Sequence, residues 1–162
     1  MSASEVPAQQ RQSVRIEAGP CPPRGRVKFF REIGTTYPEK NDLLEDLMRF
    51  IQQNLGEGEG ALFKIRLCLD EGLQNAFCHG NRSEVTKKIR VVLFEEEDAW
   101  GVTISDQGEG FQPQDIPDPE SPDSLFREGG RGVLIMTQYM DEVSYFDGGR
   151  TLLLVKRKRR EE

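Results

Sequence analysis

LCLDEGLQNAFCHGN, running from Leu67 to Asn81, is the stretch on which the reading of the whole chain depends. Apolar Leu62, Ile65, Leu69, Leu73 and Phe77 recur at the three- and four-residue spacing of one helical face, so they predict an amphipathic helix turned toward a core. On the same helix Leu67, Glu71, Asn75 and His79 follow at steps of four, stacking a carboxylate, a carboxamide and an imidazole along one edge. An acid and an amide one turn apart at the rim of an apolar stripe can line a pocket. Taken alone, they fit the solvated border of a helix at least as well.

They do not occur alone. ISDQGEGF from Ile104 to Phe111 and EGGRGVLIM from Glu128 to Met136 follow in that order, giving helix acid and amide, then D-x-G-x-G, then G-x-G ahead of a helix. Glycines serve where a backbone must come close to phosphate or adopt positive φ. Gly129, Gly130 and Gly132 precede a helical segment, whose free N–H groups and partial positive charge suit anionic oxygen. Arg131 lies in the same turn, placed either for a phosphate or for a structural salt bridge. Asp106 closes an apolar strand, and a carboxylate at a pocket floor can accept a hydrogen bond from an exocyclic amine such as adenine N6. By itself, D-x-G-x-G more often caps a turn; together with the helix it points to a nucleotide. A triphosphate brings magnesium, for which Asn75 offers a neutral carbonyl oxygen. Glu71, one turn earlier, is placed to act as general base, and His79 reads as a helix-end residue.

What is missing narrows the class. The sequence has no GxxxxGK[ST], no GxGxxG, and neither HRD nor DFG, which sets aside P-loop, dinucleotide and ordinary protein-kinase folds. A single histidine removes most triads and zinc sites.

At 162 residues, with 36% hydrophobic and 31% charged side chains, the chain suits one domain burying roughly 70% of its unfolded surface. The net charge of −6 argues against general nucleic-acid binding. Cys21, Cys68 and Cys78 are an odd number without metal-like spacing, so a disulfide framework is not expected. No run approaches the roughly twenty apolar residues of a membrane helix and no signal peptide is visible, so the expected location is cytoplasmic.

Residues 1–26, rich in Pro, Gln, Ser, Gly and Arg, are expected to form a flexible arm, and residues 158–162 a charged tail ending the basic run KRKRREE. Between them a strand is expected over Val27–Ile33, a helix from Pro38 to Asn54, and the central helix after Gly56, Gly58 and Gly60. A hairpin follows over Lys88–Glu95 and Trp100–Ser105, then a Pro-rich loop from Gln112 to Arg127, a helix over Gly132–Met140, and strands Glu142–Phe146 and Thr151–Arg157. This order implies an α/β two-layer sandwich, a mixed sheet with helices on one face, leaving the other face free to meet a partner.

EGLQNAFCHGN, DQGEGF and GGRGVLIM resemble the N, G1 and G2 boxes of the GHKL ATPases. The compact size, the HGN ending and MTQYMDEVSY are most similar to the bacterial anti-sigma factor serine/threonine kinases. The likeness spans Phe29 to Lys156. It implies that residues 27–157 form a histidine-kinase-like Bergerat ATP-binding domain. Its cofactors would be ATP and Mg2+, and it would sequester a sigma factor and phosphorylate a STAS-domain anti-anti-sigma protein. By motif position Glu71 would be the catalytic base and Asn75 the metal ligand. Asp106, Gly108 and Gly110 would hold adenine, Gly130, Arg131 and Gly132 would contact the phosphates or the lid, and Val133 would belong to the same cofactor site. Thr151 would support the adenine site, and 112–127 would be the lid. Relatives commonly pair, so a homodimer is compatible; direct nucleic-acid or membrane contact is not expected. The other reading is a non-catalytic module that uses ATP only to hold a protein partner. Gly72 stands where the family usually has alanine, which costs helix propensity up to about 1 kcal/mol.

Overall fold

The computed structural model describes residues 14–111 and 130–158. In chain order these form β1 (Arg15–Ile16), β2 (Arg26–Gly34), α1 (Tyr37–Asn54), α2 (Glu59–Asn75), a π-helical turn (Ala76–Gly80), β3 (Lys88–Glu95), β4 (Ala99–Ser105), α3 (Gly130–Tyr139), β5 (Glu142–Phe146), a 3-10 turn (Asp147–Gly149) and β6 (Thr151–Arg157). The strands make one sheet in the order β1-β5-β6-β4-β3-β2. Every pairing is antiparallel except β1 with β5, which is parallel. The mixed sheet and three helices form the α/β architecture expected.

Alternation along the strands decides where the core sits. Ile89, Val91 and Leu93 of β3, Trp100, Val102 and Ile104 of β4, and Leu152 and Leu154 of β6 share one buried cluster with the apolar stripes of the helices. From α1 that stripe is Leu43, Leu47 and Ile51, and from α2 it is Ile65, Leu69 and Leu73, all fully or almost fully buried. Thr36 caps α1 by accepting the Glu39 N–H, with Pro38 in the first turn, a position where a missing N–H costs nothing. Trp100 is wholly buried, yet its indole N–H donates to Glu57 Oε1 at 3.0 Å. Gly72, the departure from the family's alanine, has a packing reason. A Cβ there would lie 2.8 Å from Ile104 Cδ1 and 3.0 Å from Leu152 Cδ2, so the missing methyl lets α2 settle onto the sheet.

The arm expected up to Arg26 is corrected in its described part. β1 and β2 lie on opposite edges of the sheet, so residues 17–25 must cross its outer face. Five strand spacings amount to roughly 24 Å, within reach of nine extended residues at roughly 3.3 Å each. Pro20, Pro22 and Pro23 favour that extension. Glu17 N–H donates to the Tyr145 carbonyl at 2.9 Å, and the Gly19 carbonyl accepts from Asp147 N–H at 2.8 Å. Cys21 then packs on a small outer cluster of Phe94, Ala99, Phe146, Leu153 and Val155. Arg24 ends the crossing with ion pairs to Glu96 at 2.8 Å and Glu142 at 2.9 Å. The segment lacks apolar residues to fold alone, as its composition says, but it borrows an apolar sheet face. The outer face expected to be free is therefore partly covered, and Val27 and Phe30 of β2 remain exposed on it.

Arg24→Ala should loosen this strap. Losing two charge-assisted, partly exposed pairs should cost about 1 to 2 kcal/mol, lowering the thermal midpoint by roughly 3 to 6 °C. Hydrogen exchange should quicken selectively in residues 17–25. An unchanged midpoint with unchanged exchange would show that Arg24 does not fasten the strap.

The other difference lies at the end of the central helix. Instead of one continuous α-helix to Gly80, α2 stops at Asn75 and widens, with Asn81 N–H donating to the Ala76 carbonyl at 2.8 Å. Arg82 and Ser83 follow with positive φ. The four-step ladder therefore ends at Asn75, and His79 is exposed. The basic end is also partly anchored: Lys156 and Arg157 belong to β6, and Lys158 pairs with Glu95 at 2.9 Å.

Candidate functional site

Three segments far apart in sequence meet at one end of the helical layer. α2 supplies Glu71 and Asn75, both half-buried. α3 crosses them so closely that a Cβ on Gly132 would lie 2.7 Å from Glu71 Oε2 and 3.4 Å from Asn75 Nδ2. Gly130 and Gly132 thus stand inside the first turn of α3 rather than ahead of it. The helix N-terminus, with N–H groups that no helical partner satisfies, opens beside the carboxylate and the carboxamide. Behind them α2 is braced from α1: the buried Lys40 Nζ donates to Gln74 Oε1 at 2.6 Å and lies 3.6 Å from Asp70. Neither Glu71 nor Asn75 has a side-chain hydrogen bond among the described residues.

The second part is the turn after β4. Asp106 Oδ1 accepts from the Gly108 N–H at 2.8 Å, while Oδ2 has no hydrogen-bond partner among the described residues. The carboxyl lies against Gly80, where any Cβ would overlap it, and Gly108 approaches the Gly80 carbonyl just as closely. The π turn makes this meeting possible, because its widened backbone brings Gly80 to the strand end. Burial raises the Asp106 pKa to about 6, against the lowering effects of the Gly108 N–H, Arg150 and Lys87. A desolvated carboxyl with one oxygen left over among the described residues has room to accept a further donor.

Asn81, wholly buried, ties this turn to the scaffold. Its Oδ1 accepts from Gln107 N–H at 2.8 Å, and its Nδ2 donates to Thr35 Oγ1 at 3.0 Å and to the Lys88 carbonyl at 2.9 Å. On the other side Arg150 reaches back from the last hairpin to the carbonyls of Gly108 and Glu109. Sequence reading missed both as site residues. Asn81 carried a signal, since asparagine follows a helix-ending glycine, but nothing in DGGR announces a guanidinium folded over another turn.

The remaining expected residues are placed as follows. Gly110 has φ of +76° and lies against the Gly148 carbonyl, so it shapes the turn. Val133 is buried in the main core as an apolar wall under α3. The Thr151 hydroxyl bonds to Ser105 Oγ at 2.9 Å and Asp147 Oδ2 at 2.7 Å. Because Ile104 and Leu152 face the helices, alternation turns Ser105 and Thr151 to the outer face. Thr151 thus braces the hairpin from behind and does not face the carboxyl of Asp106, which corrects the expectation of a place beside adenine. The side chain of Arg131, Gly129 and the expected lid 112–127 lie outside the described residues.

The donor set fits a magnesium-bound adenine nucleotide. Asp106 Oδ2 suits an exocyclic amine, Asn75 offers a hard neutral oxygen, and the N-terminus of α3 suits phosphate. Among the described residues no group of acids, histidines and cysteines could hold a metal unaided, so a cation here would depend on oxygens brought by its ligand.

The sequence profile of the family described as histidine kinase-like ATPase domain matches residues 37–156, which takes in all three segments. A protein named serine-protein kinase RsbW from Bacillus licheniformis is 26% identical over 131 residues, covering 76% of this chain and 82% of its own. One of the same name from Oceanobacillus iheyensis is 25% identical over 99 residues, covering 57% and 63%.

Proposed function

Since this chain belongs to the histidine kinase-like ATPase domain family, we propose that it is an ATP-dependent serine/threonine-protein kinase acting as an anti-sigma regulatory factor. Its substrate in this reading is a hydroxyl on a STAS-domain anti-anti-sigma protein, and the partner exchanged for it is a sigma factor. What supports the nucleotide half is the close approach of Glu71 and Asn75 to the first turn of α3, together with the desolvated Asp106 carboxyl lying against Gly80 at the end of the same helical run. The kinase half rests on the names of the relatives.

Bound Mg-ATP would supply the transferable phosphoryl group and the charge neutralisation that phosphoryl transfer needs. The chain's own groups do the rest. Asp106 would accept a hydrogen bond from the base and fix its orientation, Asn75 would lend its carbonyl oxygen to the cation, and the first turn of α3 would offer N–H groups to phosphate. Glu71 takes the proton from the attacking serine or threonine hydroxyl. Lys40 and Gln74 hold α2 so that the two polar side chains keep their separation.

Incubation with γ-labelled ATP and candidate STAS-domain proteins should yield a phosphoserine or phosphothreonine on the partner, located by mass spectrometry. Tight stoichiometric capture of the partner with ATP present and no phosphoprotein formed would instead leave a nucleotide-dependent binding module.

A further inference from the structure

We propose that Arg150 is the positioning residue of base recognition, clamping the turn Asp106–Glu109 so that the carboxylate is held toward an adenine amine. The inference rests on the reading of Asp106 given above. Arg150 is bonded to this turn at three points. Its backbone carbonyl accepts from Asp106 N–H at 2.9 Å. Its Nε donates to the Gly108 carbonyl at 2.7 Å, and its Nη2 to the Glu109 carbonyl at 2.8 Å. The remaining fork nitrogen, Nη1, donates to the Asp147 carbonyl at 2.9 Å, so one planar group joins two turns. A guanidinium presents donors in a fixed fork, whereas an ammonium is a single point on a flexible stem.

The turn needs such a clamp. Two glycines within five residues give it backbone freedom that ordering must remove. Asn81 fixes it only at Gln107 N–H, leaving the carbonyls of Gly108 and Glu109 to Arg150. The two anchors differ in kind: Asn81 is buried and bonded to Thr35, just after β2, and to Lys88 of β3, while Arg150 is exposed and its side-chain hydrogen bonds among the described residues go to the two turns. Removing Arg150 therefore loosens the turn without hollowing the core. Its charge acts on Asp106 as well. The groups facing that carboxyl are the Gly108 N–H, Arg150 and Lys87, all favouring its ionised form against burial.

Arg150→Ala and Arg150→Lys separate the clamp from the charge. Dissociation constants for ATP and GTP would be measured by calorimetry from pH 5.5 to 8, with thermal midpoints alongside. For Arg150→Ala the expected result is about tenfold weaker ATP binding, the scale on which pre-ordering a loop acts. ATP over GTP selectivity should also shrink, and the pH midpoint of ATP binding should move upward, with a fall in thermal midpoint no larger than that of Arg24→Ala. Arg150→Lys should share the affinity loss but keep the wild-type pH midpoint. Wild-type affinity, selectivity and pH midpoint in Arg150→Ala would overturn the inference while leaving the site intact. A wild-type protein that binds no adenine nucleotide would overturn both.

Discussion

Glu71→Gln is expected to reduce phosphoryl transfer by about a thousandfold, within the range by which positioned general bases accelerate reactions, while leaving ATP affinity within about twofold. Glutamine keeps the shape that sits against Gly132, so α3 retains its close crossing. It also keeps an oxygen and adds an N–H donor, but it cannot accept a proton. No hydrogen bond to Glu71 is lost among the described residues, so the thermal midpoint should hold. Single-turnover transfer to a STAS-domain substrate, with ATP binding measured on the same preparation, checks both halves. Transfer at the wild-type rate would remove Glu71 from the role of base. Loss of ATP binding in parallel would make it a binding group instead.

The second large effect belongs to Asp106. Asp106→Asn replaces an acceptor-only group with one that can turn an N–H toward the donor it should receive, while the other oxygen's place beside Gly108 N–H is easily kept. Losing a hydrogen bond to a charged acceptor is worth about 1.5 to 3 kcal/mol, so ATP affinity should fall by roughly ten- to a hundredfold, and discrimination against GTP should shrink with it. The pH dependence has a definite sign. With a folded pKa raised to about 6, the carboxylate acceptor is lost as pH falls through that value, so ATP binding should weaken between pH 7 and 5. Stability moves the other way. The folded protein holds this proton more tightly than the unfolded chain, whose carboxyl titrates near 3.8. The resulting stabilisation is full below the unfolded value and is lost as pH rises through about 6. In Asp106→Asn both dependences should flatten. Wild-type ATP affinity that is level from pH 5 to 7 would exclude this carboxyl from base recognition.

Periodicity alone located almost every element, because each is amphipathic at its own period. Val27–Ile33, Lys88–Glu95 and Thr151–Arg157 read as strands and are strands, and the stripe through Ile65, Leu69 and Leu73 is buried as its spacing requires. Two departures have a shared cause. The π turn after Asn75 answers to contacts between Gly80, Gly108 and Asp106, residues that are distant in sequence. The strap over residues 17–25 looks unstructured by composition because the apolar surface it covers belongs to Phe94, Phe146 and Leu153. Local propensity cannot register a partner surface that does not yet exist in the local chain.

Within the candidate site the division is the same. The sequence by itself determined which chemical groups are on offer: a carboxylate and carboxamide one helical turn apart at Glu71 and Asn75, an acid before two glycines at Asp106, and a glycine-rich helix start at Gly130. Only the tertiary structure decided what those groups face. It set Gly132 against Glu71, desolvated Asp106 beneath Gly80, turned Thr151 to the outer face and folded Arg150 over a turn more than forty positions earlier in the chain. Side-chain chemistry is a property of single residues. Burial, pairing and direction arise when the sheet closes and strand alternation and helix packing assign each residue its neighbours.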